Sequence, residues 1–189
     1  AIQNVRDAVM TERNYSKTIR VGAAGGIGTP TAAAAAFAAG AVYIVTGSIN
    51  QSCVEAQTSE MVKEMLAEAE INQTEIAPAA DMFELGAQVQ VLKNRTLFPK
   101  RAKKLYQLYR NYSCWEQIPL EVREDIEKRY LRASFDEVWQ SVEEYFSTRD
   151  SKQLVKAAEQ PKHKKALVFR WYLGLSSRWA QQGTSERSI

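Results

Sequence analysis

Two short apolar runs, each closed by a glycine turn, constrain this chain more than any other feature. Ile19–Ala24, apolar but for Arg20, ends at Gly25-Gly26, and Ala41–Val45 ends at Thr46-Gly47-Ser48. Each run is too short for a helix and suits a strand of a parallel sheet, covered on both faces. Between them Thr29 fits an N-cap, Pro30 the first helical position and Gly40 the helix end. Strand, helix and strand then form a right-handed βαβ unit. Both glycine turns leave the same edge of such a unit, so their backbone N–H groups converge there as a cradle for phosphate. Its expected members are Ala24, Gly25 and Gly26 from the first loop and Thr46, Gly47 and Ser48 from the second. Glycine is expected because a side chain would block close approach of the ligand.

Two kinds of protein use such a cradle. Gly22, Gly26 and Gly28 give the G-x-x-x-G-x-G spacing of a short-chain dehydrogenase, an NAD(P) oxidoreductase. That chemistry also requires a tyrosine acid with a lysine four residues on. None of the eight tyrosines has one, and no acidic residue closes the second run. The other kind is the (β/α)8 barrel, whose loops after the last two strands commonly bind a phosphate group.

Further motifs carry a resemblance that covers nearly the whole chain. Gly22-Ala-Ala-Gly-Gly-Ile-Gly-Thr-Pro30 and Thr46-Gly-Ser-Ile-Asn-Gln51 are followed by Ala77-Pro-Ala-Ala-Asp-Met-Phe-Glu-Leu-Gly-Ala-Gln-Val-Gln-Val-Leu92. Thr96-Leu-Phe-Pro99 comes next, and then the run from Pro161 through Arg170-Trp-Tyr172 to Arg178. Together they resemble the C-terminal part of the PfaD family, the trans-acting enoyl reductases of polyketide and polyunsaturated fatty acid synthases, related to nitronate monooxygenase-type barrels. The resemblance implies FMN in the cradle and NADPH as hydride donor. It further implies reduction of the α,β double bond of a carrier-bound enoyl thioester. The implied partners are an acyl carrier protein or the synthase that bears it, and a homodimer is left open. The general acid that protonates the α-carbon is expected upstream of Ala1, so no catalytic residue is assigned.

A complete barrel needs about 250 residues, against 189 here. The expected architecture is therefore α/β: the C-terminal portion of a (β/α)8 TIM barrel, its last two βα units, followed by an all-helical domain. Residues 1–75 are assigned to the barrel, 76–183 to the helical domain and 184–189 to a disordered tail. The missing N-terminal barrel segment is expected elsewhere in the same enzyme. As an alternative, the helical half is a docking module for acyl carrier protein.

Helical stripes support this division. Ile2, Val5, Val9 and Met10 form one. Ser59 fits the cap of a helix carrying Met61, Val62, Met65 and Leu66, with residues 72–78 as its exit. Met82, Leu85, Val89 and Leu92 share helical spacing, as do Phe98, Ala102, Leu105, Leu108 and Tyr112. Pro119 opens a further helix, Ser134-x-x-Glu137 is a capping-box signature, and Pro161 begins a last helix running to Gly183.

Charge divides unevenly. Residues 1–75 hold 5 basic and 8 acidic side chains, and residues 76–189 hold 20 and 14. With the acids interleaved, the expected basic half is a mixed, solvated helical surface. Lys162-His-Lys-Lys165 reads as a solvated helix start with His163 on the surface, or as a docking point for an acidic carrier. No nucleic-acid motif accompanies it, so no nucleic-acid partner is expected. Arg170, Trp171, Tyr172 and Arg178 read as core packing with snorkelling arginines. Cys53, Cys114 and one histidine supply no zinc-type cluster, and the absence of a disulfide framework fits a reducing cytosol. The apolar run from Ala32 to Val45 falls short of the ~20 residues of a membrane span. Arg6, Asp7, Glu12 and Arg13 interrupt any signal-peptide pattern. A cytoplasmic location is expected.

Overall fold

Two segments of chain fold as separate compact units, with the division after Thr58. A computed structural model describes residues 2–184. Of the expected tail, residues 185–189 lie outside the described residues.

In the first unit, helix α1 (Ile2–Arg13) precedes β1 (Ala23–Ala24), α2 (Pro30–Ala38) and β2 (Ile44–Val45). The strands pair in parallel, Ala23 opposite Ile44 and Ala24 opposite Val45, so the βαβ connection holds as expected. Its helix is capped as the sequence implies: the Thr29 hydroxyl accepts from the Ala32 N–H at 3.1 Å, and Pro30 occupies the first turn. Gly40 takes a φ of +91°, a left-handed conformation that glycine reaches without strain. The Gln3 side-chain amide donates to the carbonyls of Ala39 and Gly40 at 3.1 and 3.0 Å, which fastens α1 to the end of α2.

The strands differ from expectation in length and burial. The ladder spans two residues per strand, and no described residue of this unit is fully buried. Phe37, Val42, Tyr43 and Val45 each remain about half exposed. Two strands and two helices provide too little surface to cover both faces of the sheet. No closed barrel is formed among the described residues, whose sheets are this parallel pair and one antiparallel pair.

The second unit opens with α3 (Glu60–Ala67). Ser59 sits at its N-cap position without capping it. The Ser59 hydroxyl instead donates to the Ala180 carbonyl at 2.9 Å, and its N–H donates to Gln181 at 2.7 Å. It therefore satisfies carbonyls at the C-terminal end of another helix, where the last turn has no intrahelical partners.

Then comes the largest correction to the expected all-helical domain. Residues 74–92 form an antiparallel hairpin, β3 (Thr74–Pro78) with β4 (Gln88–Leu92), Thr74 opposite Leu92 and Pro78 opposite Gln88. Met82, Leu85, Val89 and Leu92 do not share a helix. A 3₁₀ turn at Phe83–Leu85, closed by Gly86 at φ +75°, carries the chain across.

The remaining chain is helical: α4 (Phe98–Asn111), α5 (Leu120–Asp125), α6 (Phe135–Arg149), α7 (Ser151–Glu159) and α8 (Pro161–Gln182). A π-helical segment (Ile126–Leu131) extends α5 and ends at Arg132, φ +56°. Ser134 and Glu137 form the reciprocal capping box that opens α6. The sequence reading assigns no element to α7, whose inner face rests on the buried Ala157. Core and hairpin meet at Phe83, which packs edge-on against Tyr106 and Phe169. Trp115 stacks on Phe135 at 4.6 Å between centroids. Along α8 the residues from Ala166 to Phe169 are all buried, so this helix is the axis of the unit. Burying one such Phe or Leu contributes about 2 kcal/mol.

Candidate phosphate-binding loops

The register of β1 and β2 determines where the expected cradle lies. Ala24 faces Val45 across the parallel pair, so the chain leaves both strands at the same, carboxyl edge. Gly25-Gly26 and Thr46-Gly47-Ser48 begin side by side there. In parallel α/β sheets this is the edge at which ligands bind.

Gly25 and Gly26 have φ of +86° and +68°, which disfavours any other residue. No atom lies within 4 Å of the point where a side chain would begin at Gly25, Gly26 or Gly47. The space above these three residues is open to a ligand. Gly47, at φ −126°, lies outside the left-handed region, and its small size leaves the approach clear. The N–H groups of Gly26 and Gly47 donate to no other main-chain group among the described residues. Gly47 leads into a single 3₁₀ turn, Ser48–Ser52.

Asn50 is a member that the sequence reading leaves out. The Thr46 hydroxyl donates to Asn50 Oδ1 at 3.0 Å, and Asn50 Nδ2 donates back to the Thr46 carbonyl at 3.2 Å. This reciprocal pair fixes the second loop and uses the Thr46 hydroxyl internally, which leaves the hydroxyl of Ser48 as the loop's candidate side-chain donor. The four-residue spacing of Thr46 and Asn50 across a polar turn was the available signal. A hollow of about 230 Å³ in the same unit is lined by Gln3, Val21, Gly22, Ala23, Ala36 and others and includes neither glycine loop. Open backbone donors and the absence of side chains at the approach suit a phosphate group. Among the described residues no group of three or more His, Cys, Asp or Glu could hold a metal ion. No helix among them is long and apolar enough to cross a membrane.

The basic cluster opening α8 is not the solvated surface the sequence suggests. His163 is 2 % exposed. Its Nδ1 lies 2.8 and 3.0 Å from the Glu84 carboxylate, and its Nε2 lies 3.0 Å from Gln153 Oε1. Lys165 is fully buried, and its Nζ donates to the carbonyls of Leu108 at 3.1 Å and Tyr112 at 2.5 Å. Burial, then the charge of Lys162, lowers its pKa from 10.5 to about 8. Lys162 lies over the Tyr109 ring, and Lys164 over Trp139 and Phe135. These cations face the helices they pack on because their apolar stems fill the interface. Arg170 and Tyr172 follow the expected packing role. Arg170 Nε donates to the Ala80 carbonyl at 3.0 Å, and the buried Tyr172 accepts from Arg101 at 2.9 Å.

Comparison with known proteins agrees with this fold. Residues 112–189 match the family described as "[Acyl-carrier-protein] S-malonyltransferase, inserted helical domain". The polyketide biosynthesis protein PksE of Bacillus subtilis is 44% identical over 189 residues, which cover all of this chain and 24% of PksE. The polyketide biosynthesis protein ThaF of Burkholderia thailandensis is 46% identical over 189 residues, 16% of its length. A polyunsaturated fatty acid synthase polypeptide of a Thraustochytrium species is 44% identical over 190 residues, 13% of its length. The crystal structure of the enoyl reductase domain of MlnA, from the macrolactin biosynthesis cluster of Bacillus amyloliquefaciens, matches with a TM-score of 0.89 and 44% identity. That match covers 98% of this chain and 42% of that one. The chain thus spans a quarter or less of these curated relatives, two polyketide biosynthesis proteins and a polyunsaturated fatty acid synthase subunit.

Proposed function

We propose that this chain is part of an FMN-dependent enoyl reductase of polyketide or polyunsaturated fatty acid biosynthesis. It would act in trans on carrier-bound enoyl thioesters, with NADPH as hydride donor. The observation that carries the reading is the pair of glycine loops leaving one edge of a parallel strand pair, in a fold that matches part of an enoyl reductase domain. The backbone N–H groups of Gly25, Gly26 and Gly47 and the hydroxyl of Ser48 would hold the FMN phosphate, and Ala24 would shape the floor of the loop. The Thr46–Asn50 pair keeps the second loop in one conformation, so little ordering entropy is lost on binding. FMN, when bound, supplies a ring that takes up hydride and delivers it to the β-carbon of the enoyl group. Exposed Val42, Tyr43 and Val45 provide apolar surface against which further barrel strands of the same enzyme would pack.

The test is the visible absorption spectrum of the purified full-length protein, before and after denaturation. A flavin spectrum, with the chromophore released as FMN, is the expected result. Gly25→Val should lower FMN affinity by about a hundredfold or more, because its side chain enters the approach and its φ is disfavoured. A colourless wild-type protein that takes up no added FMN overturns the reading.

A further inference from the structure

No acidic residue occurs between Glu84 and Glu116, and within that interval six basic residues crowd positions 93–104. They are Lys93, Arg95, Lys100, Arg101, Lys103 and Lys104. The expectation of interleaved acids fails for this segment, and the fold concentrates it further. Lys93 and Arg95 occupy the loop after β4. Lys100, Arg101, Lys103 and Lys104 crowd the first half of α4, whose first turn has no acid. A helix N-terminus carries partial positive charge and favours acidic neighbours, so this arrangement works against the helix dipole. Packing accounts for Arg101, which donates to Tyr172 and lies over the Tyr130 ring. It does not account for Lys93, Arg95 and Lys100, which are exposed.

Counter-charge on this surface is sparse. Glu75 on β3 is paired with Lys103. The hydrogen bond from Lys103, with the charges of Lys93 and Lys100 in support, holds the Glu75 carboxyl below the usual carboxylate range. One carboxylate is thus shared among three lysines. Glu68 lies 4.0 Å from Arg95 at well-exposed positions, where such a pair is worth little. Arg95 holds φ +59°, uncommon for a residue with a side chain, and projects its guanidinium into solvent, 75 % exposed. Between the two basic groups Leu97 is 43% exposed. An apolar contact rimmed by cations is suited to an acidic protein face with a hydrophobic residue at its centre.

We infer that the surface formed by Lys93, Arg95, Leu97, Lys100 and Lys104 docks the acidic face of the carrier domain that delivers the enoyl thioester. This rests on the proposed reductase function and adds to it a place of contact remote in sequence from the glycine loops. The positive potential would steer encounter and raise the association rate at low salt, and Leu97 would provide the short-range contact. No side chain here takes part in the chemistry, so small soluble thioesters should bypass the surface altogether.

The experiment compares full-length wild-type protein with the triple variant Lys93→Glu, Lys100→Glu, Lys104→Glu and with the milder Lys→Gln triple. Each is assayed on a crotonyl thioester of an isolated acyl carrier protein and on crotonyl N-acetylcysteamine. The charge-reversed protein should show kcat/KM on the carrier substrate reduced by about tenfold or more. The small thioester should be turned over at the wild-type rate, and the Lys→Gln triple should fall between. The wild-type advantage on the carrier substrate should shrink between roughly 0.05 and 0.3 M salt. Unchanged carrier kinetics in both triples overturns the docking surface and leaves the reductase reading intact. Equal loss on both substrates also overturns it, as does tight, variant-sensitive binding of duplex DNA without any effect on the carrier substrate. A wild-type protein that reduces neither thioester, with FMN and NADPH supplied, sinks the reductase reading itself.

Discussion

Lys165 on α8 donates its ammonium group to the carbonyl of Leu108 on α4, at 3.1 Å, inside the core of the helical unit. The same Nζ also serves the Tyr112 carbonyl just past the end of α4, so one cation supplies that carbonyl and adds a second donor to Leu108, which already accepts from the Tyr112 N–H at 3.3 Å. Replacing it with methionine keeps the volume, removes this donor from the part-buried Tyr112 carbonyl and leaves Leu108 with the Tyr112 N–H alone. Lys165→Met should destabilise the unit by about 1–3 kcal/mol, read by urea denaturation at neutral pH. The pH dependence has a definite sign. Folding lowers this pKa from 10.5 to about 8. Between those values the unfolded chain binds more protons than the folded one, so stability due to this group rises with pH across that window. The wild-type minus Lys165→Met difference in stability should therefore grow from pH 8 to pH 10. A flat difference would remove the electrostatic account.

His163 connects three elements. Its ring lies between the Glu84 carboxylate from the hairpin turn and Gln153 from α7, while it stands on α8 itself. Arg170, on α8, lies 3.7 Å from the same carboxylate. His163→Leu should cost about 2–3 kcal/mol, since it strands a carboxylate and an amide that no longer have their partner. The informative measurement is the double-mutant cycle with Glu84→Gln. A coupling of about 1–3 kcal/mol is expected for groups in direct contact. Additive losses would show that His163 matters only as volume.

Three local signals that the sequence states plainly are kept by the structure, whereas the Ser59 cap is not. The Thr29-Pro30 start, the Gly40 stop and the Ser134–Glu137 box are each settled by the chemistry of a few neighbours, so one sequence suffices to read them. The hairpin is different. Gln88-Val-Gln-Val-Leu92 alternates with period two, but Met82, Leu85, Val89 and Leu92 also match a helical spacing over the same stretch. Gly86 at φ +75° decides against the helix, and this torsion is not written in the residue name. His163 and Lys165 look like surface residues because their partners Glu84 and Leu108 lie 79 and 57 positions away. Only tertiary packing brings a carboxylate and two carbonyls to meet them. The glycine loops were readable as turns, and their shared edge followed from expecting the two runs to pair in parallel, as Ala24 does with Val45.

The capping box offers a test with its own pH signature. The Glu137 carboxylate accepts from the Ser134 N–H at 2.7 Å, and the Ser134 hydroxyl accepts from the Glu137 N–H at 3.2 Å. The bond from the Ser134 N–H, and then the one that the Ser134 hydroxyl donates to the same carboxylate at 2.8 Å, lower the Glu137 pKa. A carboxylate with a lowered folded pKa stabilises fully above its unfolded value, and that stability is lost as pH falls through the folded one. Ser134→Ala should cost about 1 kcal/mol at pH 7 by thermal or urea denaturation. Glu137→Gln should narrow its deficit against wild type as the pH is lowered below the ordinary glutamate value of 4.5. A deficit that does not change with pH would mean that the ionised carboxylate plays no part.

The last prediction concerns the first unit, where one aromatic ring explains a glycine. A side chain beginning at Gly22 would overlap the Tyr43 ring, far inside any real contact. Both residues stand just before the cradle, one next to β1 and the other next to β2, so the half-exposed ring must turn aside or the strands part. Gly22→Ala should therefore destabilise the unit by about 1 kcal/mol, the low end of overpacking, because the ring can give. It should also weaken FMN binding, because the two loops lose their common edge. Removing the ring relieves the contact: Gly22→Ala with Tyr43→Ala should recover FMN affinity relative to Gly22→Ala alone, measured by flavin fluorescence titration of the full-length protein. If the double variant binds no better than the single one, the glycine is needed for its backbone and not for the space beneath Tyr43.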